Sequence, residues 1–292
     1  NTGLSAAQYG SVDPSAAGQF NLITGGNPNL VAERGETTTF GVVITPSMIE
    51  NLSIAIDYFD IEVTDAIGSV PAQTSYDRCL TTGDPAFCAN IQRDTAGTLH
   101  LLNEAPGGGL AGISTQNVNV ATDATEGVDV NITYLLDMSD MGSINFDYAA
   151  TFLDTGYTIA IPGDDKVECA GAYAGPCGLP APEYNHRFLA TWVTPYDLTV
   201  SATWRHIGET DLYGLTDPQG YLEDSMEERN YLDLAATYDY SENVQVRFGA
   251  NNLLGDDAPV TTSSGTGTGN NNTYPGLFDV STYLFAGVTV KF

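Results

Sequence analysis

Basic residues are what this sequence has least of. Lys and Arg number 9 against 37 Asp and Glu, which leaves a net charge of −28 on 292 residues. A chain of that sign repels phosphate backbones, so nucleic acid is excluded as a partner. Charged residues of all kinds make up 16%, below the roughly 25% of ordinary soluble domains, and Thr, Asn, Ser, Gly and Tyr fill their place. Long apolar runs are missing too. No stretch approaches the roughly 18 apolar residues of a membrane-crossing helix, and the mean hydropathy is −0.10. That absence leaves one membrane architecture untouched, the β-barrel, whose strands cross lipid in about 10 alternating residues each. Disorder is excluded by the 42% hydrophobic and 10% aromatic content, more than a solvated acidic chain carries. The first residue is Asn1, with no Met, basic stretch or apolar leader after it, so the sequence reads as processed or partial.

Cysteines are few and close together. Cys79 with Cys88, and Cys169 with Cys177, are flanked by Gly, Pro and Asp and read as two short-loop disulfides in an oxidising compartment. Metal binding is the rival reading, but neither spacing is that of a zinc site and no His stands near either pair.

Helical periodicity is scarce, whereas alternation with period two recurs. Val244, Val246, Phe248 and Ala250 oppose Gln245, Arg247, Gly249 and Asn251. Leu232, Leu234, Ala236, Tyr238 and Tyr240 oppose Tyr231, Asp233, Ala235, Thr237 and Asp239. The same pattern runs through 128–134, 144–152, 198–205 and 283–292, and further strands are expected near 35–45, 51–63 and 185–194. About nine strands result, and the poorly patterned stretch around 98–121 is expected to extend the strand after it. The connections alternate in length: short at 46–51, 137–142, 195–197 and 241–243, long at 64–112, 155–184, 209–228 and 255–280. Confining every long loop to one end is the habit of outer-membrane barrels, with tight periplasmic turns and long external loops. Tyr134, Tyr196, Tyr238 and Tyr240 fall beside short turns and Phe152 and Trp204 toward long loops, where interface girdles stand. The fold expected is therefore all-β, a transmembrane antiparallel barrel. Its wet face carries Asp57, Asp129, Asp147, Thr151, Arg205, Asp233, Asp239 and Arg247. Nine strands cannot enclose that many polar groups, and hydrocarbon tolerates no unpaired edge. The chain is expected to be completed by N-terminal sequence or by another chain.

Several segments carry a family resemblance: Gly26-Asn27-Pro28-Asn29-Leu30-Val31-Ala32-Glu33, Glu36-Thr37-Thr38-Thr39-Phe40-Gly41-Val42, the run from Leu52 to Val63, Glu126-Gly127-Val128-Asp129, the run from Val246 to Leu254, and the closing Tyr283 to Phe292. In that order, over residues 20–292, the sequence resembles the C-terminal half of the barrel of a TonB-dependent outer-membrane receptor. The resemblance implies a 22-stranded barrel occluded by a plug domain, of which these would be the last nine or so strands. It implies residues 1–33 as an extracellular lead-in and 34–292 as the C-terminal barrel, with the plug, the coupling box and the first strands outside this chain. Phe292 matches the family's aromatic barrel-assembly signal. Implied partners are outer-membrane lipid and lipopolysaccharide, the remaining barrel and plug, and a TonB-type inner-membrane coupling protein. The function implied is energised uptake of a scarce ligand, such as a siderophore, vitamin, oligosaccharide or peptide, in the bacterial outer membrane. Alternatives are a structural or adhesive barrel with acidic loops, or a passive porin.

Ligand contacts in such a receptor would come from the external loops and the inner wall near the outer rim. The 209–228 loop carries Glu223, Asp224, Glu227 and Glu228 together with Tyr213 and Tyr221. The carboxylates can attract a cation and the tyrosines can stack on a ligand. A solvated acidic loop is the plainer reading, because the spacing lacks the interleaved pattern of a calcium loop. Tyr76, Tyr157, Tyr173 and Tyr274 are read either as ligand-stacking groups or as anchors that fold loops onto one another. His100, His186 and His206 have no acid and nucleophile in a recognisable order, so no catalysis, metal or cofactor is expected. Gly107-Gly108-Gly109 and the Gly265–Asn272 run read as loop tips. If both cysteine pairs are bridged, full reduction raises the intact mass by about two daltons per bridge, measurable by mass spectrometry with and without reductant.

Overall fold

A computed structural model describes residues 2–101, 103–214, 225–261, 273–274 and 276–292. The chain divides into two compact units, one of 36–62, 123–158 and 166–292, the other of 1–35, 63–122 and 159–165. Nine long strands make one sheet: β1 Arg34–Ile44, β2 Leu52–Ser69, β3 Asn117–Asp137, β4 Ser143–Ile159, β5 Tyr184–Val193, β6 Leu198–Ile207, β7 Arg229–Ser241, β8 Val244–Asn251 and β9 Tyr283–Val290. Each lies beside its predecessor in sequence, and the ladders from β4 to β9 are antiparallel.

Register fixes the faces. Phe146, Ala190, Ala202, Leu234, Ala250 and Leu284 stand opposite one another across six strands as one apolar row. One residue along β4 to β7, Asp147, Leu189, Thr203 and Asp233 form a row on the other face. A slip of one residue would exchange the two. The apolar face is bare: Leu284 is 73% exposed and Phe248 52%. In water so broad an exposed apolar surface is a liability, whereas in a bilayer it is what lipid covers. Of the aromatics expected in girdles, Tyr196 lies in the turn between β5 and β6, Tyr240 at the short-turn end of β7, Trp204 toward the long-loop end of β6 and Phe152 in the middle of β4.

Two of the resemblance motifs have a shared physical basis. A Cβ on Gly249 would lie 2.5 Å from the Phe285 ring and 2.5 Å from the Leu234 carbonyl oxygen. On Gly127 it would lie 2.7 Å from the Phe59 ring and 2.5 Å from the Phe152 carbonyl oxygen. In each case an aromatic from a neighbouring strand covers a bare glycine on the polar face, replacing the packing the strand lacks there. Arg247 then sits 4.8 Å over the Phe285 ring.

Three expectations need correction. The last strand ends at Val290, and Phe292 lies exposed beyond the ladder; Lys291 still donates its N–H to the Asn243 carbonyl at 2.9 Å. The stretch 98–121 enters β3 only from Asn117. Before it, Ala105 donates to Gly109 and the chain reverses, because Gly108 and Gly109 take left-handed φ of 87° and 84°, which glycine adopts at no steric cost. Helix is also present: α1 spans Ala72–Thr82 and α2 Pro85–Cys88. Their brevity hides any period, but Pro71 before α1 and Gly83 after it, at φ 69°, are the customary brackets of a helix.

The smaller unit builds a core of its own. Ala72, Cys79, Ile91, Leu99 and Ile113 are buried together, with Tyr76 and Phe87 against them. The Cys79–Cys88 disulfide joins α1 to α2. A small sheet of Leu22–Ile23, Gly112–Ser114 and Ile91–Gln92 lies in the same unit. Asp94, 2% exposed, accepts from the Thr98 N–H and hydroxyl at 2.7 Å each and from the Asn103 amide at 2.9 Å. Burial works against its charge, but the donors from Asn103, Thr98 and the Ala96 backbone outweigh it and hold the carboxyl below its ordinary value. A lowered carboxyl stabilises the fold above about pH 4 and loses that contribution as pH falls through the lowered value. Asp94→Ala leaves these donors unpaired and is expected to destabilise residues 91–114 by about 3 kcal/mol. Hydrogen exchange of those amides, normalised for intrinsic rate, should rise accordingly in the variant, and in the unmodified chain only at strongly acid pH.

Candidate ligand-binding face

On the polar face of the larger unit a network of charges gathers at the long-loop ends of β6, β7 and β8. Alternation puts Arg205 of β6 and Asp233 of β7 on that face. Arg205 donates to Asp233 at 3.2 Å and to Asp279 of the last long loop. Its guanidinium also lies 5.0 Å over the Tyr231 ring. Asp233 takes a second donor, the Asn252 N–H at 2.7 Å. Asn252 has no exposed surface and exchanges hydrogen bonds with the Asp256 backbone at 2.9 and 3.0 Å, while the Thr282 hydroxyl donates to its carbonyl at 2.8 Å. The Asn251-Asn252 pair of the resemblance motif thus ends β8 and turns the chain into the loop. Asp256 continues the network to Arg229 at 3.6 Å.

Above this ionic layer the long loops share a core. Tyr173, Ala174, Ile207, Met226, Tyr231, Tyr274 and Phe278 are buried together, and the Tyr173 and Tyr274 rings meet edge-on at 6.3 Å. Residues of three loops and two strands therefore pack as one cluster, and of the two readings of Tyr173 and Tyr274 it is anchoring that the geometry realises. Burial pushes the Tyr274 phenol up from its ordinary value. The Cys169–Cys177 disulfide closes the first of these loops, and Cys169 donates its N–H to the Gly156 carbonyl at 2.6 Å. Beside it, burial opposes the charge of Glu168, but the Gly156 and Ala170 N–H groups and Lys166 outweigh that and keep the carboxyl below its ordinary value.

Between wall and loops lies a recess of about 540 Å³, lined by Asp129, Asn131, Thr151, Asn185, Arg187 and Arg205 among others, with Leu277 of the last loop at its edge. Thr151 donates to Asp129 at 2.6 Å. Arg187 is exposed and has no ion-pair partner among the described residues. The recess offers hydrogen-bond donors, acceptors and one uncommitted guanidinium, suited to holding a polar molecule. No group of three or more His, Cys, Asp or Glu among the described residues could hold a metal ion.

Of the loop residues singled out from the sequence, Tyr213, Glu227 and Glu228 do not line this recess. Glu227 and Glu228 have side chains 83% and 65% exposed and lie 3.9 Å from Arg229 and 4.0 Å from His206 respectively. Tyr213 donates its N–H to the Tyr173 carbonyl at 2.9 Å. Tyr221, Glu223, Asp224 and the Gly265–Asn272 run lie outside the described residues. His186 and His206 stack at 5.2 Å on the apolar face, with Tyr184 bonded to His186 Nδ1 at 2.8 Å. Arg187, Asn185 and Asn131 were not singled out, although alternation with Arg205 and Asp129 places them on the same face.

A family model described as TonB dependent receptor-like, beta-barrel matches residues 2–253. A variant of the ferric enterobactin receptor of Pseudomonas aeruginosa is similar in structure, with a TM-score of 0.57 at 17% identity over 92% of this chain and 32% of that one. The FrpB iron transporter of Neisseria meningitidis gives 0.54 at 14%, over 92% and 33%. The siderophore receptor PirA of Acinetobacter baumannii gives 0.57 at 13%, over 92% and 33%. At these identities the likeness is one of fold, and this chain spans about a third of the length of each. No curated protein matches the sequence. The matched model, the nine-stranded sheet and its bare apolar face together mean that the chain belongs to the TonB-dependent receptor β-barrel family of the Gram-negative outer membrane.

Proposed function

We propose that this chain supplies part of the wall and external loops of a receptor for energised uptake of a scarce polar ligand. The observation that carries the reading is the recess on the polar face, walled by Asp129, Thr151, Arg187 and Arg205 and bordered by a loop tied to Arg205 through Asp279. Among the described residues the edge strands β1 and β9 each pair on one side only, which hydrocarbon does not tolerate. Further strands and a plug, in the same or a second chain, would complete the wall, and a TonB-type inner-membrane protein would supply the energy. Residues 1–33 would lead into the wall that 34–292 continue. The similar structures are named as receptors or transporters of ferric enterobactin, siderophores or iron, so ferric siderophores are the ligand class to test first. The family is one of receptors and transporters rather than enzymes.

In cells carrying the full-length receptor, a radiolabelled ferric-siderophore panel should show uptake that a protonophore abolishes. Arg187→Ala should weaken binding of the accepted ligand about tenfold, the scale of one lost charge-assisted contact, with unchanged amounts of folded receptor in the membrane. Uptake that persists without the inner-membrane coupling protein sinks the energised reading. The loop attachment can be tested by itself: Arg205→Met strands Asp233 and Asp279 on a partly shielded face, at a cost of about 2 kcal/mol. Limited proteolysis should then cut within 252–282 several-fold faster while the sheet survives.

A further inference from the structure

Arg187 of β5 and Arg205 of β6 stand directly opposite each other in the ladder, in a row that continues to Ala149 of β4 and Tyr231 of β7. Like charges so placed oppose strand pairing. With only 9 basic residues in the chain, two guanidiniums side by side on the recess mark a place suited to anions. The two are not equally supplied. Arg187 has no ion-pair partner among the described residues, whereas Arg205 has two, Asp233 at 3.2 Å and Asp279. Asp233 is built in, since it belongs to β7 and also accepts the Asn252 N–H at 2.7 Å. Asp279 belongs to the last long loop, and Arg205 is the sole partner of its carboxylate among the described residues. Leu277, two residues earlier, stands at the edge of the recess.

The loop that carries Asp279 closes against opposition. Thr273 and Tyr274, 7% and 5% exposed, bury side-chain oxygens that have no hydrogen-bond partner among the described residues, and Thr210 of the neighbouring loop does the same. A buried hydroxyl without a partner disfavours the packing that hides it. The apolar contacts of Tyr274 and Phe278 and the Asp279–Arg205 pair hold the loop in place nonetheless.

We propose that Asp279 is a built-in stand-in for a carboxylate of the ligand: it occupies the Arg205 half of an arginine pair, and a carboxylate-bearing ligand that spans Arg187 and Arg205 takes its place and lets the loop behind Asp279 open. A guanidinium offers the same planar fork to a carboxylate of the chain and to one of a ligand, so the two compete for the same N–H groups. A neutral ligand has nothing to exchange for the ion pair and leaves the loop shut. The competition is reciprocal, because whatever the loop contact subtracts from ligand affinity the ligand subtracts from loop closure. The inference rests on the recess being the ligand site of the proposed receptor, but not on the energised transport step.

Purified full-length receptor in detergent tests it, with propane-1,2,3-tricarboxylate as the anionic probe and its triamide as the neutral one. By calorimetric titration Asp279→Asn should bind the tricarboxylate about tenfold more tightly than the unmodified receptor, and Arg187→Ala about tenfold more weakly, with heat-modifiable gel mobility confirming each fold. Saturating tricarboxylate should speed amide exchange across 276–282 several-fold in the unmodified receptor, up to the level of Asp279→Asn, and add nothing in that variant. The exchange measurement on the unmodified receptor decides alone if Asp279→Asn does not fold. The proposal is overturned by tricarboxylate affinity that is absent, or that Asp279→Asn leaves unchanged or lowers, and equally by exchange across 276–282 that stays the same or slows. An equal effect of the triamide, or of sodium chloride at matched ionic strength, also overturns it, since screening rather than displacement would then free the loop. Protonophore-sensitive uptake of a ferric siderophore alongside any of these failures leaves the receptor reading standing, and displacement in a receptor without such uptake removes the transport step alone.

Discussion

In hydrocarbon every backbone N–H and C=O must find a partner within the protein, and the rest of this structure depends on that constraint. It forces long, regular strands with each laid beside its neighbour in sequence, as β1 to β9 are. Once the ladders are set, side chains have only two directions. Everything chemical about the wall then reduces to parity: the row containing Ala190 and Ala202 faces lipid, and the row containing Asp147 and Asp233 faces water. Even the glycines follow from it. Gly127 and Gly249 sit where a neighbouring aromatic must lie flat on the polar face, so the sheet keeps its pairing while giving up a side chain.

The long loops face a different problem. They stand in water, outside the ladder, and must bury enough apolar surface to hold a shape. The two units solve it in parallel ways. In the smaller one a disulfide, two short helices and the Asp94 network gather a core around Ile113. In the larger one Tyr173, Tyr231, Tyr274 and Phe278 gather residues from three loops, with Arg205 and Asp233 as an ionic floor. Tyrosine suits this work, because it combines large buried area with a polar tip that tolerates water nearby. The scarcity of cations has a structural side as well. Arg205, Arg229 and Arg247 are each engaged with a carboxylate or an aromatic ring, so the uncommitted Arg187 stands out electrostatically within an acidic surround.

The amino-acid sequence by itself determined the strand count, the two faces and the alternation of short and long connections, because a period of two is local and each residue reports its own side. It also determined the cysteine pairs, since eight or nine residues of loop leave little choice of partner. The short helices were legible only in the bracketing Pro71 and Gly83. Tertiary structure alone decided which loop residues meet. Nothing local to Asp279 points to Arg205, 74 positions away. Glu227 and Glu228 looked purposeful as a run of charge but stand in solvent beside Arg229 and His206, whereas Arg187, unremarkable in its own segment, borders the recess. Alternation gives a side chain its face, but only the register between strands and the folding of loops over the wall bring particular groups together, and those depend on contacts too distant in sequence to leave a local pattern.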